Sequence, residues 1–195
     1  IVALMKQYDL GPNGSMIMAS DLIASKIDQI ENQVGKVNPD YLIVDTPGQM
    51  ELFAYRASGP FFIQNINAED KVNIFLYDAT MINSPSNFIS VSLLAASIKL
   101  RLGLPTISVM TKIDLIPDKI DQILKWSSDP ILLEESVRKG SDGETYSLTT
   151  DIMRALNIGE FTGGLIPISN LTGEGMVDLQ IALSRIINLG EEVED

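Results

Sequence analysis

Three short polar stretches of this sequence combine carboxylates, amides and glycines at spacings that suit phosphate and base chemistry. They are DTPGQME at 45–51, TKID at 111–114 and SNL at 169–171, and each directly follows an apolar run. A carboxylate at a strand end can hold Mg²⁺, which prefers oxygen ligands, and a glycine lets a backbone N–H approach a phosphate oxygen. Asp45 and Gly48 are the candidates, although a strand end followed by a Pro-Gly turn explains DTPG equally well on its own.

The second and third stretches hold side chains that could recognise a purine base. Asp114 could accept hydrogen bonds from both the N1–H and the exocyclic amine of guanine, whereas adenine would leave the carboxylate unpaired. The aliphatic stem of Lys112 could cover one face of the base, and Ser169 could complete the pocket together with the backbone N–H groups that follow it. Taken singly, each stretch is better explained as a loop that opens a helix.

The stretch GPNG at 11–14 is a strong turn signal. Proline fixes φ, asparagine tolerates a left-handed conformation and glycine adopts one at no steric cost. A surface turn accounts for the residue types fully. The residue types alone do not decide between a loop-shaping Asn13 and an Asn13 that contacts a ligand.

Four short, almost continuously apolar runs are predicted to be the strands that position these stretches. They are YLIVD (41–45), VNIFLYD (72–78), TISVM (106–110) and LIPIS (165–169), and such runs are typical of parallel strands covered on both faces. Ligands of open α/β sheets bind beyond the carboxyl ends of the strands, so the polar stretches are expected at one edge of the sheet.

Helical stripes fill the spaces between the predicted strands. Apolar residues recur at helical spacing over 23–34, 88–102 and 176–186. The alternation predicts an α/β fold with a mostly parallel sheet flanked by helices. We expect a single domain over 1–195 with a helical insertion at about 117–162.

Composition excludes several classes of function. The 195 residues carry 14 Lys and Arg against 26 Asp and Glu, a net charge of −12, which argues against a broad surface for nucleic acid or an anionic membrane. Cysteine and histidine are absent, so disulfides, cysteine redox sites and histidine bases are excluded. No apolar run approaches the roughly 20 residues that span a bilayer, and we expect a cytoplasmic protein.

Taken in order along the chain, these stretches resemble the motifs of the P-loop GTPases. GPN followed by DTPGQME resembles the GPN-loop GTPases in particular, over essentially the whole chain. The resemblance implies a dimeric GTPase that binds GTP or GDP with Mg²⁺. It also implies that the loop of Gly11, Pro12 and Asn13 crosses a two-fold interface, where Asn13 approaches the phosphates held by the partner. A role in assembling large complexes with a protein client is implied by resemblance only.

The resemblance also assigns roles at the phosphate site. Asp45 corresponds to the Mg²⁺-associated aspartate and Gly48 to the backbone donor to the γ-phosphate. Gln49 stands where GTPases often keep a glutamine that orients water, and Glu51 is a second candidate for that task. Catalysis would then rest on positioning and electrostatics, which phosphoryl transfer mostly requires.

The implied guanine pocket departs from the usual family pattern at two positions. Thr111 stands in place of an asparagine, which predicts looser guanine binding with specificity retained. Asn170 stands in place of an alanine, a change of little consequence if its backbone N–H meets the guanine O6. The nucleotide-binding residues implied for this pocket are Thr111, Lys112, Asp114, Ser169, Asn170 and Leu171.

No stretch matches G-x-x-x-x-G-K-[ST], the loop that cradles the α- and β-phosphates. In the family this loop precedes the GPN stretch, and its strand would lie between the runs at 41–45 and 72–78, which would otherwise expose their edges. We therefore expect that an N-terminal segment is absent from this sequence, and that these residues alone have an incomplete phosphate site and no GTPase activity.

The same residues leave two alternatives to a GTPase. The first is a nucleotide-free dimeric scaffold that binds protein partners, which the missing lysine loop supports and the presence of GPN and DTPGQME disfavours. The second is an ATPase of a related dimeric class, which TKID disfavours.

Overall fold

The computed structural model describes residues 1–140, 143–157, 161 and 164–188, without the side chains of Met50 and Glu51. These residues form two compact units. The first comprises Ile1–Lys71 with Leu100–Gly103, and the second comprises Val72–Lys99 with Leu104–Asp195. The single-domain assignment stays a prediction.

Five helices make up the first unit. They are α1 (Val2–Tyr8), α2 (Pro12–Ser25), α3 (Ile27–Val37), α4 (Met50–Phe53) and α5 (Ser58–Asn65). The residues that end α1 and α3 suit those positions, because Asp9 and Asn38 adopt left-handed backbone angles and Pro39 cannot continue a helix.

A small apolar core joins the helices of the first unit. Phe53 and Phe62 meet edge to face with ring centroids 6.4 Å apart, and Ile66 is buried beside them. Ile23 and Ile27 pack against this cluster, as their helical spacing predicts. They belong to two helices, since the backbone leaves the helical region at Lys26, where φ is −114° and ψ is 12°.

The predicted strand at 41–45 is wrong. Residues 41–47 have no regular structure, and the side chains of Tyr41, Leu42, Ile43 and Val44 are exposed, Ile43 to 92%. Apolar, β-branched composition favours a strand only where a neighbouring strand supplies the hydrogen-bonded ladder. Among the described residues none pairs with this run.

The second unit is built on a three-stranded parallel sheet with the order β1-β2-β3. Its strands are β1 (Asn73–Asp78), β2 (Thr106–Thr111) and β3 (Ile166–Pro167). The runs at 72–78, 106–110 and 165–169 thus contain strands, as predicted. The last is only two residues long, and Pro167 has no N–H to donate to a ladder.

Helices cover the sheet of the second unit. They are α6 (Pro85–Leu102), α7 (Ile120–Ser128), α8 (Pro130–Gly140), α9 (Gly143–Leu156) and α10 (Met176–Asn188), with 3-10 turns at Ile113–Leu115 and Pro117–Lys119. Helices α7 to α9 occupy most of the predicted helical insertion at 117–162. Residues 141–142, 158–160 and 162 of that range lie outside the described residues.

Two apolar clusters sandwich the sheet. One contains Tyr77 and Met110 with residues of α6 to α9, and the other packs Ile107, Val109 and Ile168 against α10. The fold is therefore α/β with a parallel sheet flanked by helices, as predicted. Burial on both faces was also predicted for β1, and there the prediction is wrong, because Leu76 at this sheet edge is 59% exposed.

Within the described part of the chain, no helix has the length and apolar character needed to cross a membrane.

Candidate functional site

Polar residues gather where β1 and β2 end. Asp78 is the last residue of β1 and Thr111 the last of β2, and the parallel register places them side by side. Lys112 follows directly, and Asp114 lies in the 3-10 turn that comes next. This arrangement matches the expected position at the carboxyl edge of a parallel sheet.

Asp78 pairs with Lys112 at this edge. Lys112 Nζ lies 2.5 Å from Asp78 Oδ2, while Thr80 donates to Asp78 Oδ1 through its backbone N–H at 3.0 Å and its hydroxyl at 2.6 Å. The hydrogen bond from Lys112, followed by the one from the Thr80 side chain, holds the pKa of Asp78 below its usual value. The carboxylate is therefore ionised and has a fixed orientation.

Asp114 and Ser169, 55 positions apart in sequence, meet through a direct hydrogen bond. The Ser169 hydroxyl donates to Asp114 Oδ1 at 2.6 Å. The same hydroxyl oxygen accepts the backbone N–H groups of Leu171 and Thr172, each at 3.2 Å. One donated and two accepted hydrogen bonds use the full capacity of a hydroxyl, so this buried side chain fixes the Asp114 carboxylate in place.

The backbone around Ser169 forms a tight turn. Its N–H donates to the carbonyl of Glu174 at 3.0 Å, and its carbonyl accepts the N–H of Gly173 at 2.9 Å. Asn170 is exposed, and its N–H bonds to no residue that the structure describes. That N–H is available to a ligand, whereas the N–H of Leu171 is already used by Ser169.

Thr111 links the ends of β1 and β2 by a hydrogen bond, and Lys112 turns the backbone away from β2. The Thr111 hydroxyl donates to the carbonyl of Tyr77 on β1 at 3.3 Å. Lys112 has left-handed backbone angles of φ 61° and ψ 34°, which cost a non-glycine residue about 1 kcal/mol. The strained conformation at Lys112 therefore lies at the strand ends, where the polar residues meet.

The GPNG stretch is the start of a helix. Gly11 is extended at φ −68° and ψ 169°, and α2 begins at Pro12, so the prediction that Gly11, Pro12 and Asn13 form a loop is wrong in conformation. Proline suits the first helical position because its φ is preset and its missing N–H would be unbonded there. Asn13 is exposed in the first turn, where backbone N–H groups lack helical partners.

The other predicted phosphate-site residues lie in the irregular segment before α4. Asp45 and Gln49 are exposed, and a Cβ built on Gly48 meets nothing within 4 Å. The side chain of Glu51 is outside the described residues. Asn13, Asp45, Gly48 and Gln49 all belong to the first unit, whereas the predicted guanine pocket belongs to the second.

A metal could draw on one carboxylate at Asp45. Among the described residues, no three acidic side chains cluster in a way that could hold a metal ion. Mg²⁺ commonly takes one or two protein carboxylates and completes its shell with phosphate oxygens and water. The donor set at Asp45 therefore fits an ion brought in with a phosphate ligand, and it does not form a protein cage.

Sequence reasoning missed Asp78 and Thr80. Asp78 ends the run VNIFLYD just as Asp45 ends YLIVD, so a carboxylate at the carboxyl end of an apolar run was the available signal. Its partner Lys112 lies 34 positions away, and only the parallel register of β1 and β2 brings the two together.

Comparisons with known proteins place most of the chain in one family. A family model described as conserved hypothetical ATP binding protein matches residues 2–188. GPN-loop GTPase 3 of Kluyveromyces lactis is 30% identical over 155 residues, covering 76% of this chain and 57% of that protein. GPN-loop GTPase 1 of Schizosaccharomyces pombe is 30% identical over 200 residues, covering 97% of this chain and 54% of that protein. The chain thus spans about half the length of these relatives.

A solved structure shares the fold. A GTPase in apo form from Pyrococcus abyssi superimposes with a TM-score of 0.78, covering 93% of this chain and 73% of that one, at 24% sequence identity. The parallel sheet flanked by helices is therefore an arrangement already known in a GTPase.

Proposed function

Since this chain belongs to the GPN-loop GTPase family, we propose that the protein containing it binds guanine nucleotides and hydrolyses GTP. The observation that carries the proposal is the 2.6 Å hydrogen bond from the Ser169 hydroxyl to Asp114 Oδ1. It joins two of the motifs that the family assigns to the nucleotide, TKID and SNL, and presents a carboxylate of fixed orientation at the sheet edge.

Asp114 favours guanine over adenine in this proposal. Its Oδ2 accepts no hydrogen bond from the described residues, so one acceptor is left for a ligand, and an ionised carboxylate accepts but cannot donate. Guanine offers two adjacent N–H donors, while adenine would leave part of a desolvated carboxylate unpaired. A preference for guanine agrees with the relatives named as GTPases, whereas the description of the family model mentions ATP.

The phosphate half of the proposal rests on the first unit. Exposed N–H groups at the first turn of α2, around Asn13, suit an anion, and Gly48 leaves room for a phosphate oxygen beside the backbone. We assign Asp45 to Mg²⁺, which supplies charge neutralisation at the phosphates when bound. Gln49, with Glu51 as the second candidate, is assigned to orienting the attacking water.

The remaining parts of the proposal concern the assembly. We assign Asn13 to the phosphates of a second copy across a two-fold axis, which its exposure at the start of α2 permits. A cytoplasmic location and a role in building large complexes with a protein client rest on the family resemblance.

Equilibrium binding of the intact natural protein tests the base site. We expect GDP with Mg²⁺ to bind and ADP to compete poorly. Asp114→Asn should weaken GDP and favour xanthosine diphosphate, because the amide can donate to the extra carbonyl of xanthine. An intact protein that binds neither guanine nor adenine nucleotide would overturn the proposal in favour of a dimeric scaffold, and ADP bound as tightly as GDP would overturn the guanine assignment.

A further inference from the structure

We propose that Asp78 is a positioning residue that holds the Lys112 side chain in place to cover one face of the bound guanine. The proposal rests on the guanine site proposed above and adds a residue that lies outside the family motifs TKID and SNL. It starts from the ion pair between Lys112 Nζ and Asp78 Oδ2 at 2.5 Å.

The Asp78 carboxylate is itself held in place before it meets the lysine. Its Oδ1 accepts both the backbone N–H and the hydroxyl of Thr80, at 3.0 and 2.6 Å. The Oδ2 atom is left for Lys112. Because two donors from the following turn fix one oxygen, the direction of the other oxygen is fixed as well.

The lysine reaches Asp78 through a defined backbone geometry. Asp78 is in register with Thr111, the residue before Lys112. The left-handed conformation of Lys112, at φ 61°, follows directly on the strand end. With both the backbone and the ammonium group held, the four-carbon stem between them has few conformations left.

The stem remains open to a ligand. The Lys112 side chain is 57% exposed and that of Asp78 only 25%. An apolar stem with a fixed charged end presents a surface on which a flat base can lie. Asp114, which we assign to the edge of the base, is two residues further along, so one turn supplies contacts to both the face and the edge.

An ion pair with a purely structural role would affect folding stability and not nucleotide binding, and the pair of Asp78 and Lys112 is expected to do the reverse. Partly exposed pairs of this kind contribute little to the free energy of unfolding, so its loss should leave stability nearly unchanged. Its effect belongs to the ligand, because a lysine without Asp78 must lose side-chain freedom when the base binds. Stacking does not read the base edge, so the choice between guanine and xanthine should not depend on Asp78.

A double-mutant cycle on the intact protein tests the inference. Asp78→Asn removes the charge, and Lys112→Met keeps most of the apolar stem but cannot pair. We expect each to weaken GDP about threefold, the size typical of a partly exposed pair, and the double variant to bind no more weakly than either one. Asp78→Asn should keep the wild-type preference for GDP over xanthosine diphosphate, unlike Asp114→Asn. Glu134→Gln, which breaks the surface pair with Arg154, should change neither the affinity for GDP nor the preference for GDP over xanthosine diphosphate.

Four results would overturn the inference. Additive losses in the double variant would show that Asp78 does not act through Lys112, and an altered base preference in Asp78→Asn would place Asp78 at the base edge. If Asp78→Asn fails to fold, Lys112→Met still tests the inference. Unchanged GDP binding by that variant would show that the paired lysine does not contribute to holding the base. A wild-type protein without guanine binding overturns the proposed function itself and this inference with it.

Discussion

The Ser169 hydroxyl donates to Asp114 and at the same time accepts the N–H groups of Leu171 and Thr172. A single side chain therefore fixes both the carboxylate that we assign to the base and the loop that closes beside it. Alanine at this position would remove the hydrogen bond that each of these three partners makes with the hydroxyl.

We expect Ser169→Ala to weaken GDP binding about tenfold, because a hydrogen bond to a charged group contributes about 1.5–3 kcal/mol. Isothermal titration calorimetry on the intact protein measures the change. Ser128→Ala is the matched control, since that hydroxyl donates to carbonyls of its own helix α7. Equal affinities for wild type and Ser169→Ala would remove the loop from the base site.

Gly175 should tolerate no side chain. A Cβ there would lie 1.9 Å from the Pro167 carbonyl oxygen, at φ +75°, whereas Gly173 has φ +80° with open space around it. We expect Gly175→Ala to lower the free energy of unfolding by about 3 kcal/mol, through overlap and strain, and Gly173→Ala by about 1 kcal/mol, through strain alone. Urea denaturation compares them, and equal losses would contradict the close approach.

Substitution of two helical glycines by alanine should change the free energy of unfolding in opposite directions. A Cβ on Gly59 in α5 would lie 2.1 Å from the Phe53 carbonyl oxygen, while Gly35 in α3 meets nothing within 4 Å. We expect Gly59→Ala to destabilise by about 2–3 kcal/mol and Gly35→Ala to stabilise by up to about 1 kcal/mol, from helix propensity. Denaturant midpoints give both values, and stabilisation by Gly59→Ala would contradict the packing of α5.

The ion pair of Asp78 predicts a dependence on pH. The folded state lowers the pKa of Asp78 below 3.8, first through the hydrogen bond from Lys112 and then through Thr80. Its contribution to stability is therefore present above about pH 4 and is lost as the pH falls below that value. We expect the small stability difference between wild type and Asp78→Asn to be constant from pH 5 to 7 and to shrink towards pH 2. A difference that grows on acidification would contradict the lowered pKa.

Local composition predicts much of this fold. β1 and β2 are dense in β-branched and aromatic residues, and buried strands need such side chains wherever they lie in the sheet. The helix α6 follows from its apolar spacing in the same way. The run at 41–45 has equally suitable residues, but a strand also needs a neighbour, and that requirement is not visible in the run itself.

The candidate site is predictable only where a motif carries it. Asp114 and Ser169 were found through the order of TKID and SNL, although the bond between them was not foreseen. The pairing of Asp78 with Lys112 depends on the register of two strands, which apolar composition does not specify. GPNG misled for a different reason, because a proline after glycine serves a turn and the first residue of a helix equally well.

The turn around Ser169 has a consequence for how a base pocket can open. Three hydrogen bonds meet at the hydroxyl, and two more join the backbone of the same residue to Gly173 and Glu174. Bonds that meet at one residue reinforce one another, so we expect the hold on Asp114 and the closure of the turn to be lost together. If the pocket opens in this way, the measured association constant of the nucleotide would be the intrinsic one multiplied by the fraction of protein with the pocket assembled.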